Sequence, residues 1–208
     1  MKKLACLFLL VSTSLTTFAQ TKMSSTEIAT FKKAIQSQAN KMQSIVADFE
    51  EAKHIKVLKN STKSTGIFKY KKDQLLWQYQ APKKTALLFS SNKLSMKNEK
   101  QKVTTIDLAK NKRFKQLQQL MLGSYNGNLF DEEHFSIEYY KDNTKKWAIL
   151  RPKTKDMSKY IKEVVLWFKN EENTVSEIKI TESNDDFSII KIFNKKINVS
   201  INDSEFRL

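Results

Sequence analysis

The chain has 208 residues, a formal net charge of +15, and only three glycines, two prolines and one cysteine. Its glycines lack the spacing of a phosphate-binding loop, a dinucleotide fingerprint or a nucleophile elbow, which argues against a nucleotide-dependent enzyme. Only three of the 37 basic residues are arginines. The forked guanidinium of arginine is favoured in phosphate and base recognition. A positive charge supplied almost entirely by lysine therefore argues against sequence-specific nucleic-acid binding.

The first 19 residues have the pattern of a secretory signal peptide. Met1-Lys2-Lys3 is a short positive region, residues 4–11 are apolar, and Thr17-Phe18-Ala19 offers small residues for cleavage after Ala19. The apolar run is shorter than the ~20 residues that span a bilayer. We therefore expect an exported chain with a single mature domain over 20–208, without the cysteine, that works outside the cytoplasm.

A helix is predicted to follow, because Ser24 and Glu27 have the spacing of a capping box. Apolar residues then recur at spacings of three and four, which predicts one buried stripe. The stripe consists of Ile28, Phe31, Ile35, Ala39 and Met42.

From about Ile45 the apolar period changes to two, which is typical of β-strands, and this pattern returns after residue 135. Between the two strand sets, 112–122 is predicted to be a second helix that ends at Gly123. Long helices do not alternate with strands, so a parallel sheet is disfavoured. The predicted fold is mainly β with helices (α+β): a half-open, strongly curved antiparallel β-barrel covered by lid helices.

The sequence contains no convincing catalytic or metal-binding motif. His54 and His134 are the only histidines, and 131–134 (DEEH) is interpreted as an acidic helix start or loop rather than a metal site. Neighbouring carboxylates on a strand point to opposite faces, so Glu50-Glu51 does not form an acid/base pair. We predict no enzyme, no cofactor and no metal, and a hydrolase is the least favoured class.

Several strands are apolar on both faces, for example in 75–77 (LLW), 87–89 (LLF) and 164–168 (VVLWF). A sheet covered on both sides explains this pattern, with one face under helices and the other around a packed core or a ligand cavity. Periodicity does not distinguish the two, so a carrier of a hydrophobic ligand remains a physical possibility.

Three segments carry a family resemblance: 46–51 (VADFEE), 66–68 (GIF) and 77–82 (WQYQAP). In this order they resemble the LolA family of periplasmic lipoprotein carriers, whose pattern is F-x-Q, then G-x-hydrophobic, then R-W-x-Y-x-x-P. Later segments agree in order, so the resemblance covers about 26–206. It implies a cavity that shelters the acyl chains of lipoproteins on their way from the inner to the outer membrane.

The resemblance also implies partners: acylated lipoproteins or other lipid, an inner-membrane lipoprotein-releasing transporter, and an outer-membrane acceptor or membrane surface, met by a monomer. The strand before the family's tryptophan contributes cavity residues, here Leu75 and Trp77, with Tyr79 on the same face. The family's lid-binding arginine corresponds to Lys71, which cannot form the same fork of bonds. The expected cavity comprises Phe49, Leu75, Trp77, Tyr79, Leu87, Phe89, Leu94, Met96, Trp147, Ile149, Leu166 and Phe168; the expected lid comprises Lys71, Phe114, Leu117, Leu120 and Met121.

Two alternatives remain: a relative on the same fold that carries another lipid or a polyene-type product, and a basic module that binds an anionic membrane or polymer. The charge is uneven, since 53–115 holds 17 lysines and arginines but only three acidic residues. This region is either a solvated coat or a docking surface for anionic lipid headgroups or acidic membrane partners.

Overall fold

The computed structural model describes residues 20–58, 60–111, 115, 118–119, 121–123, 125 and 127–208. The predicted signal peptide lies outside these residues. The strands are β1 (Thr21–Lys22), β2 (Ser44–His54), β3 (Thr62–Lys71), β4 (Gln74–Ala81), β5 (Thr85–Ser90), β6 (Lys93–Lys97), β7 (Val103–Asp107), β8 (Phe135–Lys141), β9 (Lys145–Pro152), β10 (Ile161–Lys169), β11 (Glu177–Glu182) and β12 (Phe187–Ile197). Helix α1 spans Ser25–Lys41, a short helix spans Lys155–Ser158, and 3-10 turns span Leu108–Lys110 and Asp203–Glu205.

The strands form one antiparallel sheet in the order β1-β8-β9-β10-β11-β12-β2-β3-β4-β5-β6-β7. Its two outermost strands, β1 and β7, do not pair with each other, so the sheet is open rather than a closed barrel. Along each strand, alternate residues face the concave side, where the main core lies. The open antiparallel fold expected from the sequence is confirmed.

Helix α1 begins as predicted, with Ser24 and Glu27 forming a complete capping box. Its apolar stripe packs onto the concave face, where the Phe31 ring lies 5.1 Å from the ring of Phe168 and 5.7 Å from that of Phe130. Among the residues that the structure describes, no helix combines the length and apolar character needed to cross a membrane.

Glu27 makes the start of α1 sensitive to acid. Its carboxylate accepts hydrogen bonds from Lys141 and from the backbone N–H of Ser24, and these bonds lower the pKa of Glu27 from 4.5 to about 2. Since the folded pKa lies below the unfolded one, this stabilisation is present above pH 4.5 and is lost as the pH falls towards 2. We expect Glu27→Gln to be less stable than the native chain near neutral pH, and equally stable once the pH is below 2. Urea unfolding across this range measures the difference; a constant difference would contradict the assignment.

The convex face of the sheet is covered by the end of the chain, which we call the C-terminal segment (199–208). Ile201 and Phe206 pack there against Leu76, Ala86 and Leu88. This contact explains why β4 and β5 are apolar on both faces. The covering element expected from the sequence was a helix; the structure instead has a strap of irregular chain and one 3-10 turn.

The second predicted helix is present at the residues that can be described, since 115, 118–119, 121–123 and 125 are all helical. We call these described residues the helical segment. The prediction that Gly123 ends it is wrong, because Gly123 itself is helical. A Cβ at Gly123 would lie 2.8 Å from the Asn128 carbonyl oxygen, so glycine lets the chain fold back closely. The positive φ that accompanies the end of the helix occurs at Gly127, at 85°.

Candidate functional site

The concave side of the sheet contains an apolar cavity of about 270 Å³. Because the sheet curves strongly, β4 and β5 form one wall and β10, β11 and β12 form the other. The helical segment contributes Met121 and Tyr125. The cavity is lined by Glu51, Lys53, Leu75, Trp77, Tyr79, Leu87, Met121, Tyr125, Val164, Leu166, Ile178, Ile180, Glu182, Ser188 and Ile190.

Aromatic rings build the β4 side, which we call the aromatic wall. Trp77 stacks on Phe68 with ring centroids 5.5 Å apart, and its ring centroid lies 4.3 Å from that of Phe49. Tyr125 packs on the same group, 5.5 Å from Phe68 and 5.2 Å from Tyr70. Interlocked rings of this kind fix the position of Trp77. The helical segment is therefore held over the cavity by stacking.

Gly66 is the reason that Phe49 can support Trp77. Phe49 lies opposite Gly66 in the β2–β3 ladder, and its ring occupies the space above the glycine. A Cβ at Gly66 would lie 2.5 Å from Phe49 Cζ and 2.1 Å from the carbonyl oxygen of Gln78. The glycine in the resemblance motif thus has a packing role beneath the aromatic wall.

The opposite wall is aliphatic. Leu166 is paired with Ile178, and Ile178 with Ile190, so these side chains emerge on the same face of three adjacent strands. Val164 and Ile180 repeat the arrangement one step along the strands. The residues just named are all aliphatic, and Ser188 is the next polar residue of this wall. Hydrocarbon can therefore pack against the aliphatic residues without leaving a polar group unpaired.

Charged groups collect at one end of the cavity, which we call the mouth. The Lys53 ammonium lies 2.8 Å from a Glu182 carboxylate oxygen, and this bond raises the pKa of Lys53. Tyr79 donates a 2.7 Å hydrogen bond to Glu51. Burial, followed by the nearby Glu51 carboxylate, raises the pKa of Tyr79, which therefore remains a neutral donor. The mouth presents both signs of charge around an apolar interior.

The structure brings six of the predicted site residues together. Phe49 lies behind the lining, while Phe89, Leu94 and Phe168 are packed in the core and Met96 at its margin. Phe114, Leu117 and Leu120 lie outside the described residues. The six that line the cavity are Leu75, Trp77, Tyr79, Leu87, Leu166 and Met121.

Two predicted cavity residues are on the wrong face of the sheet. Trp147 pairs with Trp167 and Ile149 with Val165, whereas the concave side is defined by the alternate pair Ala148 and Leu166. Trp147 instead stacks on Tyr140, with ring centroids 5.9 Å apart. Trp147 and Ile149 therefore belong to the convex face and have no contact with the cavity.

Lys71 also departs from its expected place in the lid. It follows Tyr70 on β3 and so points to the convex side. There the Lys71 ammonium donates to the backbone carbonyl of Ile201 and lies 2.6 Å from a carboxylate oxygen of Asp203. This pairing lowers the pKa of Asp203. Lys71 fastens the C-terminal segment rather than the helical segment.

Sequence reasoning missed the charged mouth and most of the aliphatic wall. The alternation Ile178-Lys179-Ile180 was a usable signal, because a lysine between two isoleucines indicates one apolar face. Tyr125 gave no such signal, since its neighbours form no clear helical stripe.

Asp131, Glu133 and His134 have ligand atoms within 4.8 Å of one another. The Asp131 carboxylate already accepts hydrogen bonds from the backbone N–H groups of Glu133 and His134, and its other oxygen lies 2.8 Å from His134 Nδ1. The group forms a turn just before β8, which agrees with the interpretation of 131–134 as an acidic loop.

An open antiparallel sheet that wraps an apolar cavity, with a helix packed in its concave face, defines a binding protein of the open-barrel class. The sequence profile of the family described as outer membrane lipoprotein carrier protein LolA matches residues 40–208. The chain belongs to this family of lipid- or lipoprotein-binding carriers. No curated protein matches the chain.

Solved structures with a similar fold share little sequence with this chain. A domain described as outer membrane lipoprotein-sorting, from Vibrio parahaemolyticus, is 12% identical with a TM-score of 0.48, over 86% of this chain and 94% of that one. A LolA superfamily protein from Nitrosomonas europaea is 10% identical with a TM-score of 0.46, over 85% and 97%. The Mycobacterium tuberculosis lipoprotein LppX is 8% identical with a TM-score of 0.45, over 86% and 99%.

Proposed function

We propose that this protein is an exported periplasmic carrier that shelters the acyl chains of lipoproteins and moves them from the inner to the outer membrane. The observation that carries the proposal is the apolar cavity, whose aromatic and aliphatic walls face each other in a chain of the LolA family. An inner-membrane transporter would load the carrier, and an outer-membrane acceptor or the membrane itself would receive the cargo.

The size of the cavity limits how much lipid it accepts in this state. An apolar cavity of ~150 Å³ holds one benzene molecule, so about 270 Å³ accommodates part of one acyl chain. Each buried CH₂ contributes ~0.8 kcal/mol, so even a partly buried chain gives several kcal/mol of binding free energy. A lipid with two or three chains requires more room, and Met121 and Tyr125 must then move away with the helical segment.

The mouth is suited to the polar end of such a ligand. Lys53 and Glu182 offer one donor and one acceptor beside the apolar walls, and Glu51 adds a second acceptor. A lipoprotein presents peptide N–H and C=O groups directly after its acylated residue. These groups match a mixed-charge rim better than they would match a ring of one sign.

The proposal is tested by extracting protein purified from its native host with organic solvent and identifying the extract by mass spectrometry. We expect acylated peptides in the extract, at most about one per carrier. Another lipid or a polyene in the extract would instead support the alternative, a carrier of that compound on the same fold. An empty cavity combined with salt-sensitive polymer binding would refute the carrier function.

The tip of the β2–β3 hairpin lies next to the mouth and exposes apolar side chains. Val57 is 87% exposed and Leu58 is 52% exposed, and the neighbouring Lys56 N–H donates to the Asp186 carboxylate on the turn after β11. Exposed apolar groups beside lysines are typical of contacts with an anionic membrane surface. This tip would bring the mouth to the acceptor membrane.

We expect cargo transfer to weaken with salt, because the exposed hairpin tip belongs to the basic region 53–115. The Debye length falls from about 30 Å at 0.01 M salt to about 3 Å at 1 M, so attraction to anionic headgroups or acidic partners is screened across that range. Transfer of a fluorescent acyl lipid to phosphatidylglycerol vesicles should therefore slow, whereas transfer to neutral phosphatidylcholine vesicles should change little. Equal rates at all salt concentrations would identify the lysines as a solvated coat.

A further inference from the structure

One edge of the sheet is formed by β7, whose outer side pairs with no strand among the described residues. On its inner side, β7 pairs with β6, and a backbone hydrogen bond lies at each end of this ladder. At one end the Leu108 N–H donates to the Asn92 carbonyl, and at the other the Asn98 N–H donates to the Lys102 carbonyl. In an antiparallel ladder, every second residue is hydrogen-bonded to the partner strand. Counting inwards from both flanking bonds, Thr104 and Ile106 bond to β6. The backbone groups of the remaining residues, Val103, Thr105 and Asp107, point away from the sheet.

Of the features that usually block strand addition, this edge has only one charged residue, Asp107. Its five residues, VTTID, include no proline and no lysine, and they are mostly exposed. Natural edge strands are protected by being very short, by charges, or by proline. The opposite end of the sheet follows that rule, since β1 has only two residues and one of them is Lys22. The β7 edge is longer and rich in β-branched residues, which favours pairing with another extended chain.

The surroundings of this edge are basic. In the part of the chain that the structure describes, Lys93, Lys97, Lys100 and Lys102 have no acidic partner within 4 Å, although many other lysines are paired. The one glutamate of the β6–β7 hairpin, Glu99, is engaged by Lys83 at 2.8 Å. Asp107 is also occupied, because its carboxylate accepts the backbone N–H of Ala109. A ladder of free backbone groups is thus placed inside a field of unpaired positive charge.

We infer that the β7 edge binds an extended acidic segment of a partner protein by strand addition. Backbone bonds to Val103, Thr105 and Asp107 hold the segment, and its carboxylates meet the lysines of the β6–β7 hairpin. A second copy of this chain is disfavoured, because its own lysines would face these lysines. An anionic bilayer supplies the charge but no row of backbone donors and acceptors. The surface is separate from the cavity, and its role does not depend on the cargo.

The experiment uses the full mature chain, labelled with 15N, and a short synthetic peptide in which glutamate alternates with valine. We expect saturable amide shifts at Val103, Thr105 and Asp107. Thr105→Pro removes an outward N–H but no backbone bond to β6, and it should weaken binding at least tenfold. Thr105→Ser keeps both the N–H and the hydroxyl that lies 3.0 Å from Ser95 Oγ, and it should bind like the native chain.

A second measurement leaves the protein unchanged, so that misfolding of a variant does not decide the result. The same peptide with every second amide N-methylated should lose binding to the native chain, and a peptide with lysine in place of glutamate should not bind. Equal binding of the N-methylated peptide would overturn the inference. So would a concentration-dependent dimer in sedimentation, or phosphatidylglycerol vesicles shifting these amides when the acidic peptide does not.

Discussion

Replacing Ile180 with glutamate should abolish lipid uptake while leaving the protein folded. Ile180 is only partly buried and lines the aliphatic wall near the mouth, so its side chain has room to relax when the cavity is empty. An acyl chain entering the cavity would have to desolvate the new carboxylate, at a cost of about 3 kcal/mol. Binding of a fluorescent long-chain fatty acid should weaken about 100-fold.

Thr181→Glu is the matched control. It introduces the same charge on the same strand, but Thr181 pairs with Phe187 and lies on the other face of β11. We expect its lipid affinity to stay within about twofold of that of the native chain. Equal affinity in Ile180→Glu and in the control would show that lipid binds elsewhere. Leu75 is a poorer site for this test, because it is only 1% exposed and a charge there would also threaten folding.

Gly66→Ala should be the most destabilising single-methyl addition in the sheet. The added Cβ would lie 2.1 Å from the Gln78 carbonyl oxygen, and backbone atoms of two paired strands cannot separate without breaking their hydrogen bonds. Overpacking of this kind costs about 3 kcal/mol. The urea midpoint should therefore fall by roughly 1–3 M, since m-values are about 1–3 kcal/mol/M.

Thr65→Ala provides the comparison, because Thr65 is the adjacent, exposed residue of β3. A surface change of this kind is expected to alter the free energy of unfolding by about 0.5 kcal/mol or less. If Gly66→Ala were equally mild, the Phe49 ring and β4 would have to shift freely. The tight support of Trp77 described above would then be wrong.

Sequence reasoning succeeded where a strand has only one apolar face with large residues. Trp77 and Tyr79 alternate with Gln78 and Gln80, so their shared direction followed from the period of two. The capping box at Ser24 and Glu27 is local in sequence and was predicted for the same reason: the interacting groups are three residues apart.

The errors arose where the deciding contact is remote in sequence. In Trp147-Ala148-Ile149 all three residues are apolar, so the period of two does not show which of them point inwards. Ala148 is instead the buried, inward-facing residue, and in the sheet it lies between Tyr139 of β8 and Leu166 of β10. Lys71 was misplaced similarly, since its partners at Ile201 and Asp203 are about 130 residues away.

The C-terminal segment has a mechanical consequence for loading. It presses on the back of β4 and β5 through Ile201 and Phe206, and Lys69 and Lys71 fasten it to β3 through Glu205 and Asp203. The aromatic wall is thus packed on both sides, whereas β11 in the opposite wall is only half-buried along its whole length. We therefore expect a bulky cargo to enlarge the cavity by displacing β11 and the helical segment. Trp77 should stay in place, and the first acyl chain to enter should pack against it.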